Sequence, residues 1–226
     1  MKPVCIVDTC SLINLSDVQL ARRSLHRWLW DEFEVRFSEA VLDEIRRHQR
    51  DMGRNRRRDW GKYVYKYNTI NTRERMLFSS LTRLVEAGRC HRCNQTIWQE
   101  QSFEPDLDNP QDKGERHNCC VSLHIVRNGN FRRQVIYLTD DQRAVRDYVR
   151  TVFDVFPLGT IWSSLDFVLY IFVRHRPRIL LQTVLATLRD VNAKGVGSNN
   201  ASSKLTRRLT VYQKRAEHID RLLVQM

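Results

Sequence analysis

No apolar run in this sequence is long enough to cross a bilayer. The longest apolar region, Ile161 to Val173, is interrupted by Ser163, Ser164 and Asp166. It falls short of the roughly 20 apolar residues that a spanning helix needs. The first apolar run is shorter still and contains Asp8, so no secretory leader is expected and a cytoplasmic location is. No internal repeat is visible. Disulfides are not expected either: in a reducing compartment the six cysteines would be free thiols or metal ligands. Negative charge is also short. Against 38 Lys and Arg stand 26 Asp and Glu, giving a formal net charge of +12. Such an excess points to a polyanionic partner, nucleic acid before an acidic membrane, and no membrane partner is expected. What is present, 226 residues with 42% hydrophobic and 28% charged, suffices for one soluble α/β domain with a sizeable core and an appendage.

The chain is organised around Pro3-Val4-Cys5-Ile6-Val7-Asp8-Thr9-Cys10-Ser11-Leu12-Ile13. A short β-branched run that ends in a carboxylate reads as a buried parallel strand. Asp8 then stands at its carboxyl end, where open α/β sheets bind ligands. Thr9 or Ser11 can cap the next helix and bond Asp8. Ser16 or Asp17 is expected to cap a helix running toward Trp30, and Phe33 to Phe37 alternates as a strand does. A helix from Ser38 places Val41, Leu42 and Ile45 on one face with Glu44 beside it.

From Arg46 to Lys66 nine Lys and Arg stand against Asp51 and Asp59, with Trp60, Tyr63, Tyr65 and Tyr67 close by. Cations track phosphates and rings stack on bases, so this arm suits a nucleic-acid groove. Glu74 to Glu86 reads as a helix, and the stretch around Cys90-His91-Arg92-Cys93 as a loop or insertion. Gly114-Glu115 opens a helix. Gln134 to Thr139 is a second strong strand, ending in Asp140-Asp141. Gln142 to Arg150 is expected to be helical, Val152 to Phe156 a strand, and Thr160 to Val173 and Ile179 to Val191 two helices. Residues 193–203 read as a linker. The final segment, 204–226, places Leu205, Leu209, Tyr212, Ala216, Ile219 and Leu223 at steps of four and three. This amphipathic helix should dock on its own domain, on a partner protein, or on a second copy in a homodimer.

Two strands therefore end in acid, at Asp8 and at Asp140 with Asp141, and two helices add Glu44 and Glu115. Clustered carboxylates raise one another's pKa unless a cation neutralises them. Hard oxygen donors suit Mg²⁺ or Mn²⁺, which can activate water at a phosphodiester. A basic arm beside such a pocket fits that reaction.

Val-Asp-Thr-Cys-Ser-Leu-Ile, Ser-Glu-Ala-Val-Leu-Asp-Glu-Ile, Asp-Lys-Gly-Glu-Arg and Tyr-Leu-Thr-Asp-Asp-Gln-Arg-Ala-Val-Arg, in that order, resemble the PIN-domain family over residues 1–192. The resemblance implies a three-layer α/β/α fold with a central parallel sheet, here with a basic, Cys-containing insertion at about 46–112 and a C-terminal helix. It implies a metal-dependent endoribonuclease, and many members are toxins held by an antitoxin protein. Carried over by motif, Asp8, Glu44, Glu115 and Asp140 are the catalytic acids, with Asp8, Glu115 and Asp140 on Mg²⁺ or Mn²⁺ and Asp141 or Asp112 as substitutes. Thr9, Ser11, Arg54, Arg56, Arg57, Arg58, Lys62 and Arg143, or Arg146 one turn on, are candidate contacts to RNA. Where many relatives carry a further acid, this chain has His117 or Asn118. Cys90 and Cys93 form half of a zinc site that His117 and Cys120 can complete, with His91 and Cys119 as alternative ligands. The alternatives to an RNA-cutting enzyme are an inactive RNA- or protein-binding module and a DNA-directed nuclease.

Overall fold

The computed structural model describes residues 2–38, 40–41, 43–45, 47, 113–128, 134–155, 157–176, 178–194 and 202–225. Almost all of the expected insertion, including the basic arm and the helix from Glu74 to Glu86, lies outside the described residues, as does most of the linker. The chain opens with β1 (Val4–Val7), α1 (Thr9–Leu15), a small antiparallel pair β2 (Gln19–Leu20) and β3 (Arg23–Ser24), α2 (Leu25–Glu32) and β4 (Glu34–Arg36). Ala40, Val41, residues 43–45 and Arg47 are helical. Then come α3 (Lys113–Asn128), β5 (Val135–Leu138), α4 (Gln142–Ala144), a π-helical turn (Val145–Val149), α5 (Arg150–Val155), β6 (Gly159–Trp162), α6 (Ser164–Arg174), α7 (Leu181–Lys194) and α8 (Ser202–Val224).

The main sheet runs β4-β1-β5-β6, and every pairing in it is parallel. Val7 lies opposite Leu138, and Leu138 opposite Trp162, so the carboxyl ends of the strands share one edge. All four residues of β1 are buried, because side chains alternate between two covered faces. Cys5 and Val7 enter one core with α1, α2, α6, α7 and Ala216 of α8. Val4 and Ile6 enter the other with α3 and the α4–α5 run. The fold is thus a mixed α/β arrangement with helices on both faces of a four-stranded parallel sheet. Burying each Val or Ile of β1 is worth about 1.5–3 kcal/mol, which fixes Asp8 at the strand's end.

Four local expectations give way. Asp8, not Thr9 or Ser11, is the N-cap of α1, and its side chain accepts from the Thr9 amide. Ser16 ends α1 rather than starting a helix, and Ser24 caps α2 after the β2–β3 hairpin. Residues 150–155 are helical, not a strand. Val145, Val149, Val152 and Phe153 are spaced to face one side of a helix and are buried in the second core, so packing overrides their β-branched composition. The missing strand is β6, where a helix was expected from Thr160. The helix starts at Ser164, behind a capping box in which Ser163 and Asp166 bond reciprocally.

The C-terminal stripe docks on its own domain. Ala216 is fully buried, and Leu209, Tyr212 and Ile219 pack against the first core. Among the described residues, no helix is long and apolar enough to cross a membrane.

Candidate active site

The strand register delivers Asp8 and Asp140 to neighbouring positions beyond β1 and β5. The Asp8 amide donates to the Leu138 carbonyl at 3.0 Å, holding the two strand ends together. Asp8 is 1% exposed. One of its oxygens accepts from the Thr9 amide at 2.6 Å; the other accepts from the Thr139 hydroxyl at 3.1 Å and from the Cys10 thiol. Burial, then the charges of Asp8 and Asp140, push the Cys10 thiol well above its ordinary pKa. It therefore acts here as a neutral donor and not as a nucleophile.

Thr9 links Asp8 to the next acid, because its hydroxyl donates to Glu44 Oε2 at 2.5 Å. Gly114, at the start of α3, lies against the same carboxylate. A Cβ at position 114 would sit 3.0 Å from Glu44 Oε1 and 3.2 Å from Val41 Cγ2. The absence of a side chain there lets α3 bring Glu115 beside Glu44. Burial pushes the Glu115 carboxyl up to about 8, with the charges of Asp8, Glu44 and Asp141 acting in the same sense. Asp8 rises to about 6, chiefly by burial and further by the charge of Glu44, against the lowering effect of its hydrogen bonds. These acids, drawn from four separate segments, therefore feel one another's charge at the carboxyl edge of the sheet.

Asp140 is held differently. Its oxygens accept from Asn14 Nδ2 at 2.9 Å, Ser11 Oγ at 3.3 Å, the Ser164 amide at 3.1 Å and the Ser164 hydroxyl. Arg208 Nη2, from α8, lies 3.3 Å from Asp140 Oδ1. Asp140 thus ties α1, the start of α6 and the C-terminal helix together. Asp141 caps α4, accepting from the amides of Arg143 at 2.8 Å and Ala144 at 3.0 Å.

Asn118 lies on α3 one turn beyond Glu115, and its surroundings require an amide. It is fully buried. Its Nδ2 donates to the Val7 carbonyl at 3.2 Å, and its Oδ1 accepts from the Ser38 amide at 2.9 Å. A carboxylate there would lack the donor that Val7 needs.

The other sequence candidates divide into three groups. Thr9 and Ser11 are buried, and their hydroxyls are committed to Glu44 and Asp140, which leaves them inside the acidic set rather than on a nucleic-acid contact surface. Arg143 and Arg146 are exposed. Arg54, Arg56, Arg57, Arg58, Lys62, Cys90, His91, Cys93 and Asp112 lie outside the described residues, as does the side chain of Cys120; His117 and Cys119 are buried in α3. Among the described residues no group of three or more His, Cys, Asp or Glu is arranged to hold a metal ion. The acids fit a hard divalent cation in donor type and in charge, while a shared coordination point is not formed by them as they stand.

Sequence reasoning missed Asn14, Thr139, Ser164 and Arg208. Thr139 had a usable signal, since it directly follows the end of β5 on the ligand-binding edge, whereas Ser164 had none while β6 and its following cap were read as helix. Asn14 lies one turn beyond Ser11, on the same helix face. Arg208 had none: only the docking of α8 brings it across from a segment 68 residues away. The chain matches no family model, no curated protein and no solved structure in the comparisons made with them.

Proposed function

We propose that the chain is a metal-dependent endonuclease of PIN type that hydrolyses phosphodiester bonds in RNA. One observation carries this reading: Asp8, Glu44 and Glu115 converge electrostatically at the carboxyl edge of a parallel sheet, where the sheet architecture favours ligand binding, and two of them have raised pKa values. Carboxylates held together in this way favour a divalent cation. We assign it to Asp8 and Glu115, with Glu44 and Asp141 within their electrostatic reach and Asp140 joining from the next strand. When bound, such an ion supplies charge neutralisation and an activated water at the phosphorus. The chain's own residues do the positioning. The Thr139 hydroxyl and Thr9 amide orient Asp8, and Thr9 Oγ1 orients Glu44. Glu115, whose carboxyl burial pushes up to about 8 without an ion, would give up its proton on holding the cation, so that ion binding strengthens as pH rises. The net charge of +12 supports a polyanionic substrate.

Asp8→Asn removes the central charge while keeping the side chain's shape and its acceptor toward Thr9. It should reduce cleavage of single-stranded RNA in Mn²⁺ or Mg²⁺ to background and leave RNA binding in chelator within about twofold, since binding is carried by cations elsewhere. Full cutting by this variant would remove the assignment. The five donors on Asp140 favour a second reading, a PIN-like module that binds without cutting. Wild-type protein that binds RNA but cleaves neither RNA nor DNA with any divalent ion would select it; cleavage of DNA alone would make it a DNA-directed enzyme.

A further inference from the structure

The C-terminal helix α8 docks by Leu209, Tyr212, Ala216 and Ile219. The flank beside that stripe carries Arg208 and Arg215, one heptad and so about 10 Å apart along the axis. Both guanidinium groups lie over the ring of Tyr212, at 6.0 and 5.1 Å from its centroid. Tyr212 is itself fixed, its hydroxyl donating to Asp166 at 2.8 Å and lying 3.2 Å from Ser163 Oγ. A ring anchored in this way holds the two planar cations in place at little entropic cost.

Arg208 reaches Asp140 at 3.3 Å while its side chain keeps 27% of its surface exposed. It therefore stands at the rim of the acidic cup, with part of its fork open to solvent. Arg215 is exposed, as are Arg207, Lys214 and Arg221 on the outer face of α8. Among the residues of α8 whose exposure is described, Glu217 is the one exposed acid; Asp220 is paired with Arg176. A surface that is positive along the helix and meets the acid cluster at Arg208 is complementary to a strand of phosphates entering the cup. A solvated amphipathic helix would share the outer charges, but it would not place an arginine on a cup carboxylate.

We propose that α8 is the phosphate-binding wall of this site: a single RNA strand lies along the Tyr212 flank, with Arg215 and Arg208 each holding a backbone phosphate. The inference rests on the nuclease reading for the strand's destination, but the contact itself needs no cleavage. The test is therefore binding of a fluorescein-labelled oligouridylate to the full chain in chelator, followed by anisotropy across a salt series. The double variant Arg208→Gln/Arg215→Gln should bind at least about tenfold more weakly near 0.1 M salt, and its slope of log affinity against log salt should flatten by about 1.4, the value for two single-strand phosphate contacts. Arg208→Lys/Arg215→Lys keeps both charges and should restore most of the slope. Should the double variant fail to melt cooperatively, the exposed Arg215→Gln alone should flatten the slope by about 0.7. A wild-type chain that does not bind the oligonucleotide, or Gln variants with wild-type affinity and slope, would overturn the proposal. Because binding is read without a divalent ion, slope loss without any cleavage by the wild type keeps this wall and removes the nuclease; cleavage with an unchanged slope does the reverse.

Discussion

At the scale of single residues, the site is defined by how few donors some carboxylates have and how many others have. Asp8 and Glu115 rise in pKa because burial and like charge outweigh their hydrogen bonds. Asp140 is anchored by five donors from three helices. Asn118 shows the same logic in a neutral group. It must donate on one side, to Val7, and accept on the other, from Ser38. Asn118→Asp would turn the donor into a second acceptor and bury a charge beside a carbonyl. We expect a loss of about 2–4 kcal/mol in chemical denaturation at neutral pH, largely recovered near pH 4, where the new carboxyl is protonated and can donate. Equal stability of the variant and the wild type at pH 7 would show that the Val7 contact carries little weight.

At the scale of elements, two glycines make a contrasting pair. Gly159 opens β6 with φ +146°, and a Cβ there would lie 1.8 Å from the Val135 carbonyl oxygen. That oxygen is backbone of the neighbouring strand and cannot turn aside, so Gly159→Ala should cost about 3 kcal/mol or more by forcing β5 and β6 apart. Gly114→Ala meets the end of a flexible side chain, Glu44, at 3.0 Å. It should stay within about 1 kcal/mol of wild-type stability while displacing Glu44, so that any RNA cleavage falls more than its melting temperature does. Denaturation curves and cleavage rates on the two variants separate these effects.

This level is also where the sequence was most and least legible. The alternation-free apolar runs at Val4–Val7 and Val135–Leu138 announced parallel strands with acids at their ends, because a strand covered on both faces can be little else. The types of α5 and β6 were not legible, although Pro157 and Gly159 marked the break between them. Val152, Phe153 and their neighbours look like a strand by composition, and only the burial of Val145, Val149, Val152 and Phe153 in one core shows that period 3.6 had won. Asp8 and Asp140 were readable as acids at the ends of two strands, and Glu44 and Glu115 as acids on helices. The hydroxyls and amides that orient them were not, since their partners lie far along the chain and depend on how the helices dock.

At the scale of the whole molecule, the acid cluster sets how stability responds to pH. The Asp8 and Glu115 carboxyls titrate at about 6 and about 8 in the folded chain, above their ordinary values of 3.8 and 4.5. Between those limits the folded protein holds protons that the unfolded chain has released. Stability from these groups is therefore greatest below about pH 4 and falls as pH rises toward about 8. Thermal melts in chelator should show that decline against the trend of other carboxylates, and Asp8→Asn should flatten its lower part. Added Mn²⁺ should raise the melting temperature more at pH 8 than at pH 5. A Mn²⁺ effect independent of pH would separate the ion from these two acids.

The strand order has a consequence for biosynthesis. Of the described strands in the main sheet β1 is made before β4, β5 and β6, and it becomes an inner strand. It can recruit β4 early, but its other neighbour, β5, emerges only after residues 37–134 have been made. Throughout that interval one flank of an entirely apolar strand keeps its amides and carbonyls unpaired, an invitation to pair with another nascent chain. Yield in a heterologous host should depend on how fast translation closes that gap, with cooler growth and added chaperone favouring correctly folded material.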